Sequence, residues 1–154
     1  MNKIKRMLSN NYILLLARLL LGFIFLYAAI EKISDPESFA GAINNYKFLP
    51  LFSINIFAIF IPWIELITGI LLIFGIAVRE NSLIISTLLA IFIIIIIISL
   101  FRGLNINCGC FGTAGGTKIG IQKIIEDILL ILIGLHLVYY GGGTFSLQHI
   151  TEKE

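Results

Sequence analysis

Four apolar runs, each long enough to cross a lipid bilayer, set the frame for everything else this chain can do. They cover approximately residues 11–33, 51–76, 81–101 and 119–140. The third holds the uninterrupted stretch "IFIIIIIISLF". A membrane span needs about 20 residues to cross ~30 Å of hydrocarbon at ~1.5 Å per helical residue. Inside lipid every backbone amide and carbonyl must be satisfied within the segment, so such runs are helices, isoleucine-rich or not. The expectation is an all-α fold: an integral membrane four-helix bundle forming one domain over residues 1–154. Composition agrees, with 58% hydrophobic residues, 13% charged residues and a mean hydropathy of +1.02. Soluble domains carry about twice that share of charge. The net charge of +2 gives no footing for nucleic-acid binding.

The first run follows Lys3, Lys5 and Arg6, as the hydrophobic part of a signal peptide would. It continues from about Tyr12 to Ile30, beyond the ~7–15 residues of such a region, and it carries Arg18. It reads as a retained span. Between the first two runs lies "SDPESFAGAINNYKFLP". Ser34 or Asp35 can cap a helix with Pro36 at its first position and Glu37 in its first turn. Phe39, Ile43 and Tyr46 then share one face, which predicts a short interfacial helix ended before Pro50. An even number of spans places both termini on one side. Lys3, Lys5, Arg6, Arg79 and Lys153 stand against Lys32, Lys47, Arg102 and Lys118 across the membrane. The cluster of three at the N-terminus places that end in the cytoplasm, so the segment after the third span faces outward.

That outward segment is "NINCGCFGTAGG", which holds the chain's two cysteines, Cys108 and Cys110. Residues i and i+2 place their Cα atoms about 5.5–7 Å apart, overlapping the ~4.4–6.8 Å that a disulfide accepts. The ring would be very small, and strained bridges are the easily reduced, catalytic or regulatory ones. Gly109, Gly112, Gly115 and Gly116 leave the sulfurs approachable. Redox exchange is the favoured reading. A soft-metal site and a passive or unpaired thiol pair stay open beside it. The metal reading lacks the rest of its ligand set, since the two histidines are His136 and His149 and the two methionines are Met1 and Met7.

Ionisable residues inside spans are costly and are usually paired or functional. Arg18 lies ~10 Å in from the start of the first run, and Glu65 ~16 Å in from the end of the second. These depths suggest an Arg18–Glu65 ion pair. Glu65 also stands near Pro62 and Trp63, so Lys32, Glu65 and Trp63 are candidates for contact with a quinone headgroup. Asp127, with Glu126 beside it and Lys123 one turn earlier, directly follows the cysteine segment. Asp127 can accept a proton as a thiol is oxidised, or sit near a helix N-terminus as a dipole-stabilised carboxylate. Lys32 can lower a cysteine pKa or snorkel to headgroups. His136 reads as a packing residue, and Gly22 and Gly69 as points of close helix contact.

Taken in order, "ARLLLGFIFLYAAIEKISDPESF", "NNYKFLP", "PWIELITGILLIFG", "NCGCFG" and a last span opening with "ED" resemble the MauE/DoxX-like redox-associated membrane proteins. The likeness runs from about Ala17 to Leu137, and the "CGCFG" element points to the MauE branch. Arg18, Gly22, Lys32, Pro50, Glu65, Gly69 and Gly75 fall where that pattern places them. The resemblance implies a four-helix membrane bundle that handles disulfides outside the cytoplasm, often beside a thioredoxin-like partner. It implies the inner membrane of a bacterium, and for the namesake a part in maturing a disulfide-rich methylamine dehydrogenase. Relatives include a thiosulfate–quinone oxidoreductase subunit. Glu126 stands where the pattern expects a basic residue.

Three functions follow as expectations. The first is a thiol–disulfide oxidoreductase with Cys108, Cys110 and Asp127 as its chemical groups, a thioredoxin-like partner and membrane quinone. The others are a non-catalytic maturation or docking factor and a small soft-metal or thiol transporter. A cysteine relay through the bilayer is ruled out, because no cysteine lies within a span.

Overall fold

The computed structural model describes residues 9–46, 50–103, 121–141 and 143. Among them are five helices and no strand: α1 Asn11–Ser34, α2 Pro36–Asn45, α3 Leu51–Phe74, α4 Val78–Phe101 and α5 Ile121–Tyr140. Three are long and apolar enough to cross a membrane: α1, residues 52–74 of α3, and α4. The fourth expected run forms α5, of 20 residues, with Lys123, Glu126 and Asp127 in its first two turns. The structure therefore gives an all-helical membrane protein with three clear spans.

Local chemistry sets the boundaries. The Asn10 side chain accepts from the Tyr12 backbone N–H at 3.2 Å and caps α1. Asp35 ends α1 and begins α2: its carboxylate accepts from the Ser38 hydroxyl and, at 3.0 Å, from the Ser38 backbone N–H, with Pro36 at the first turn. The Ser38 hydroxyl, and then its backbone N–H, hold the Asp35 carboxyl below the usual carboxylate range. The expected interfacial helix is thus present, and it buries Phe39 and Ala42, with Tyr46 buried just past its end. α3 ends at Gly75, in the left-handed region at φ 74°, where the Ile76 N–H reaches back to the Leu71 carbonyl at 2.9 Å.

α1 packs chiefly on α3, and α4 on α5; α2 lies over α3. Leu14, Leu21 and Phe25 of α1 meet Leu72 of α3, Val78, Ile85 and Leu89 of α4 and Leu137 of α5 in the core. The isoleucine-rich α4 turns Ile84, Ile91, Ile94 and Ile97 outward and buries Ser82, Ser86 and Ser99. Small residues at helix contacts are the membrane solution, since lipid gives apolar side chains no reason to hide.

Gly22 and Gly69 set the register of α1 against α3. A Cβ on Gly69 would stand 3.1 Å from both the Gly22 carbonyl oxygen and the Leu26 backbone nitrogen. One on Gly22 would stand 2.7 Å from Ile73 Cγ1 and 3.0 Å from the Gly69 oxygen. Backbone cannot yield as a side chain can, so Gly69→Leu is expected to push the helices apart and destabilise by ~1–3 kcal/mol or more. A lowered midpoint of denaturant unfolding in detergent is the check. Gly41→Ala is the control: nothing lies within 4 Å of a Cβ there, and alanine in a helix interior favours folding by ~0.5–1 kcal/mol over glycine. Equal loss in both variants would contradict the close-contact account.

Candidate functional site: a buried polar cluster at one end of the bundle

The antiparallel register decides who meets Glu65. Gly69 sits against Gly22 and Leu26, level with about residue 24 of α1. Four residues earlier, Glu65 is level with about residue 28, one turn or ~6 Å from Lys32 and ~15 Å from Arg18. Side chains lean toward the N-terminus of their own helix. In antiparallel neighbours, Lys32 and Glu65 therefore lean toward each other, while Arg18 and Glu65 lean apart.

The structure follows that geometry. Lys32 Nζ donates to both carboxylate oxygens of Glu65 at 2.7 Å, with the two side chains only 1% and 3% exposed. The phenyl rings of Phe39 on α2 and Phe92 on α4 flank the ammonium at 5.2 and 5.6 Å, adding quadrupole attraction. The expected Arg18–Glu65 pair is corrected: Arg18 is buried on α1, but Glu65 is bound to Lys32. Trp63 is also not part of the cluster. Two residues from Glu65, it points about 200° around the helix and is 51% exposed. Of the three residues expected at a quinone headgroup, two are joined to each other and the third faces outward.

Asp127, in the second turn of α5, is fully buried, and neither carboxylate oxygen has a hydrogen-bond partner among the described residues. Its charge acts on Lys32 and on Tyr46. Burial, and then Asp127, push the Tyr46 phenol up to about 12, so it keeps its proton at any ordinary pH. Glu126, beside Asp127, is instead taken by Lys123 at 2.7 Å. Counting the cluster, Lys32 and Lys123 carry two positive charges against four carboxylates on Glu31, Glu65, Glu126 and Asp127. Carboxylates are in excess, and Asp127 is the one with both oxygens open among the described residues. The arrangement can hold one exchangeable proton there.

These groups gather at one end of the bundle. It is the end where α1 finishes, α2 lies, α4 closes at Phe101 and α5 begins. Arg102, just past α4, donates from Nη1 to the Tyr46 carbonyl at 3.2 Å and ties α2 to that end. Cys108 and Cys110 lie outside the described residues. α4 ends seven residues before Cys108 and α5 begins eleven after Cys110. At the opposite end, the ring of His136 packs against that of Tyr140 at a tilt of 48°, with centroids 4.8 Å apart.

Sequence reasoning missed Tyr46, Phe39 and Phe92 as neighbours of the charged groups. Tyr46 was legible as part of an apolar face, but its approach to Asp127 joins parts of the chain that only tertiary packing brings together.

A family model described as methylamine utilisation protein MauE matches residues 10–140. The chain is 27% identical over 133 residues to the methylamine utilization protein MauE of Methylophilus methylotrophus, covering 85% of this chain and 70% of that one. It is 29% identical over 139 residues to the MauE of Methylorubrum extorquens, covering 90% and 72%. It is 28% identical over 149 residues to Protein TlpB of Flavobacterium psychrophilum, covering 90% of this chain and 39% of that longer one. No solved structure matches the chain.

Proposed function

The chain belongs to the MauE family of methylamine utilisation proteins, and from that premise we propose that it is a membrane thiol–disulfide oxidoreductase working through Cys108 and Cys110. α5 serves as its fourth span. The protein lies in a bacterial inner membrane with the cysteine segment on the outer side. Its partner is a thioredoxin-like protein there, with membrane quinone as the two-electron carrier in the lipid.

The observation that carries this reading is the fully buried Asp127, without a hydrogen-bond partner among the described residues, on the helix that follows the cysteine segment. Thiol chemistry moves protons as well as electrons. When a partner dithiol reduces the Cys108–Cys110 disulfide, one S–S bond breaks, another forms in the partner, and two protons change sulfur. When the Cys108–Cys110 dithiol is reoxidised, two electrons and two protons leave together, and a quinone becoming a quinol takes up both. Asp127 is a way-station for one such proton. Lys123 and Lys32 hold positive charge within reach of it, and Tyr46 supplies a phenol that stays protonated. A second support is the length of Protein TlpB, in which the matched unit is part of a chain more than twice as long.

The test is labelling of intact cells with a membrane-impermeant maleimide, before and after treatment with a membrane-impermeant phosphine. Labelling that rises on reduction, and vanishes in Cys108→Ser/Cys110→Ser, is the expected result. Labelling only after lysis would sink both the outward topology and the external redox role.

A further inference from the structure

A groove of about 600 Å³ runs between α1 and α5. Its walls are Phe23 and Ile24 of α1 and Leu129 and Leu130 of α5. Tyr27, Lys123 and Glu126 form its polar end. The Tyr27 hydroxyl donates to Glu31 at 3.1 Å, which brings a further carboxylate to that end. We propose that this groove seats a membrane quinone, its ring at the Tyr27–Lys123 end and its isoprenoid tail along the four apolar side chains. The proposal rests on the redox reading above and gives that reading a docking place in the lipid.

The walls choose the phase from which the occupant comes. α1 is a clear span, so a groove on its flank opens to lipid, and its size is that of a small-molecule site, about 300–1,000 Å³. A single isoprenoid tail suits one channel between two helices better than the paired chains of a phospholipid. The polar end chooses the headgroup. Lys123 is one cation against the carboxylates of Glu31 and Glu126, an excess of one negative charge. An anionic phosphate headgroup is repelled there, and a neutral ring with hydrogen-bonding oxygens is not.

The donors and acceptors also suit both redox forms. The Lys123 ammonium carries three protons and can donate to a quinone carbonyl, while the Tyr27 hydroxyl, its proton on Glu31, offers an oxygen lone pair to a quinol hydroxyl. Glu31 Oε2 is buried and accepts no hydrogen bond among the described residues, which leaves an acceptor for a quinol hydroxyl. Lys123 and Glu126 lie on the same two turns of α5 as Asp127, so the groove and the buried proton site share one helix. In the forward direction the Cys108 and Cys110 thiols close an S–S bond and lose two electrons and two protons. The quinone gains both and leaves as quinol.

The experiment is photolabelling of the full chain in phosphatidylcholine nanodiscs with an azido derivative of short-chain ubiquinone, followed by peptide mapping. Label is expected on residues 23–27 of α1 and 123–130 of α5. It should be displaced by ubiquinone-1 and remain in Cys108→Ser/Cys110→Ser. Leu129→Trp fills the groove and Phe23→Ala removes a wall. Both positions are exposed, so the fold should hold, and labelling should fall by about tenfold. Label spread evenly over the outer faces of α3 and α4, no label, or unchanged labelling in Leu129→Trp would each overturn the site. The two readings fail separately. Groove labelling in a protein that exchanges no thiols sinks the redox role alone, and thiol exchange with label elsewhere sinks the groove alone.

Discussion

Cys108→Ser and Cys110→Ser are each expected to reduce thiol–disulfide exchange to the uncatalysed background. The chain has two cysteines, so no third thiol can take over from a lost one. Exchange proceeds through a mixed disulfide, which the second thiol of the pair resolves. Run in reverse, with the remaining thiol attacking the partner in its disulfide form, the exchange stops at the mixed disulfide once the resolving thiol of the pair is gone. One of the two variants should therefore accumulate a covalent adduct with its thioredoxin-like partner, visible as a band that reductant abolishes, and the other should not. The asymmetry names the attacking cysteine, and mass spectrometry of the adduct names the partner. Because the thiolate attacks, adduct formation should speed up as pH rises through the thiol pKa. Helix content should be unchanged in both variants. A protein that works equally well with either serine, in cells or purified, would make the pair dispensable and leave a scaffold role.

How far the site could be read in advance differs from residue to residue. The helices were legible because lipid leaves an apolar run no other choice of structure. α2 was legible because Asp35, Pro36 and Ser38 make a start signal whose hydrogen bonds can be drawn before any fold is known. The start of α4 was placed at residue 81, but the helix begins at Val78. Arg79, Glu80 and Asn81 are helical yet polar, so hydropathy alone cuts them off. The wrong partner for Glu65 has a more instructive cause. Depth counted from the ends of two apolar runs carries an error of a turn at each end, as much as the distance being judged. Gly22 and Gly69 were both recognised as close-contact positions. Set against each other in antiparallel helices, they bring Glu65 to Lys32 with no further information. Asp127 stood out as an ionisable residue inside an apolar run. The reach of its charge to Tyr46 did not, since that interaction joins α5 to the end of a helix more than seventy residues earlier.

Lys32→Met is expected to destabilise the protein by about 3–5 kcal/mol, the range for removing one partner of a buried ion pair. The loss comes less from the missing attraction than from what remains: a Glu65 carboxylate 3% exposed, facing Phe39 and Phe92 in place of an ammonium. Glu65→Leu should do similar harm by stranding the ammonium, offset in part because the two rings still face it at 5.2 and 5.6 Å. Lys32→Met/Glu65→Leu should recover most of the loss, since a buried pair replaced by apolar groups of like volume is often neutral or better. Unfolding of the four proteins in mixed micelles closes the double-mutant cycle. Additive losses would show that the 2.7 Å contacts contribute little coupling. The double variant also separates fold from chemistry. Lys123 and, more weakly, Lys32 are the cations whose fields reach Asp127, and the methionine–leucine pair restores packing without restoring the Lys32 charge. We expect a stable protein with impaired thiol turnover, because the excess carboxylate at Asp127 then has no buried cation from α1 beside it. Full turnover in a stable double variant would instead make the pair a register device between α1 and α3, and would move the proton path to Asp127 and the α5 residues alone.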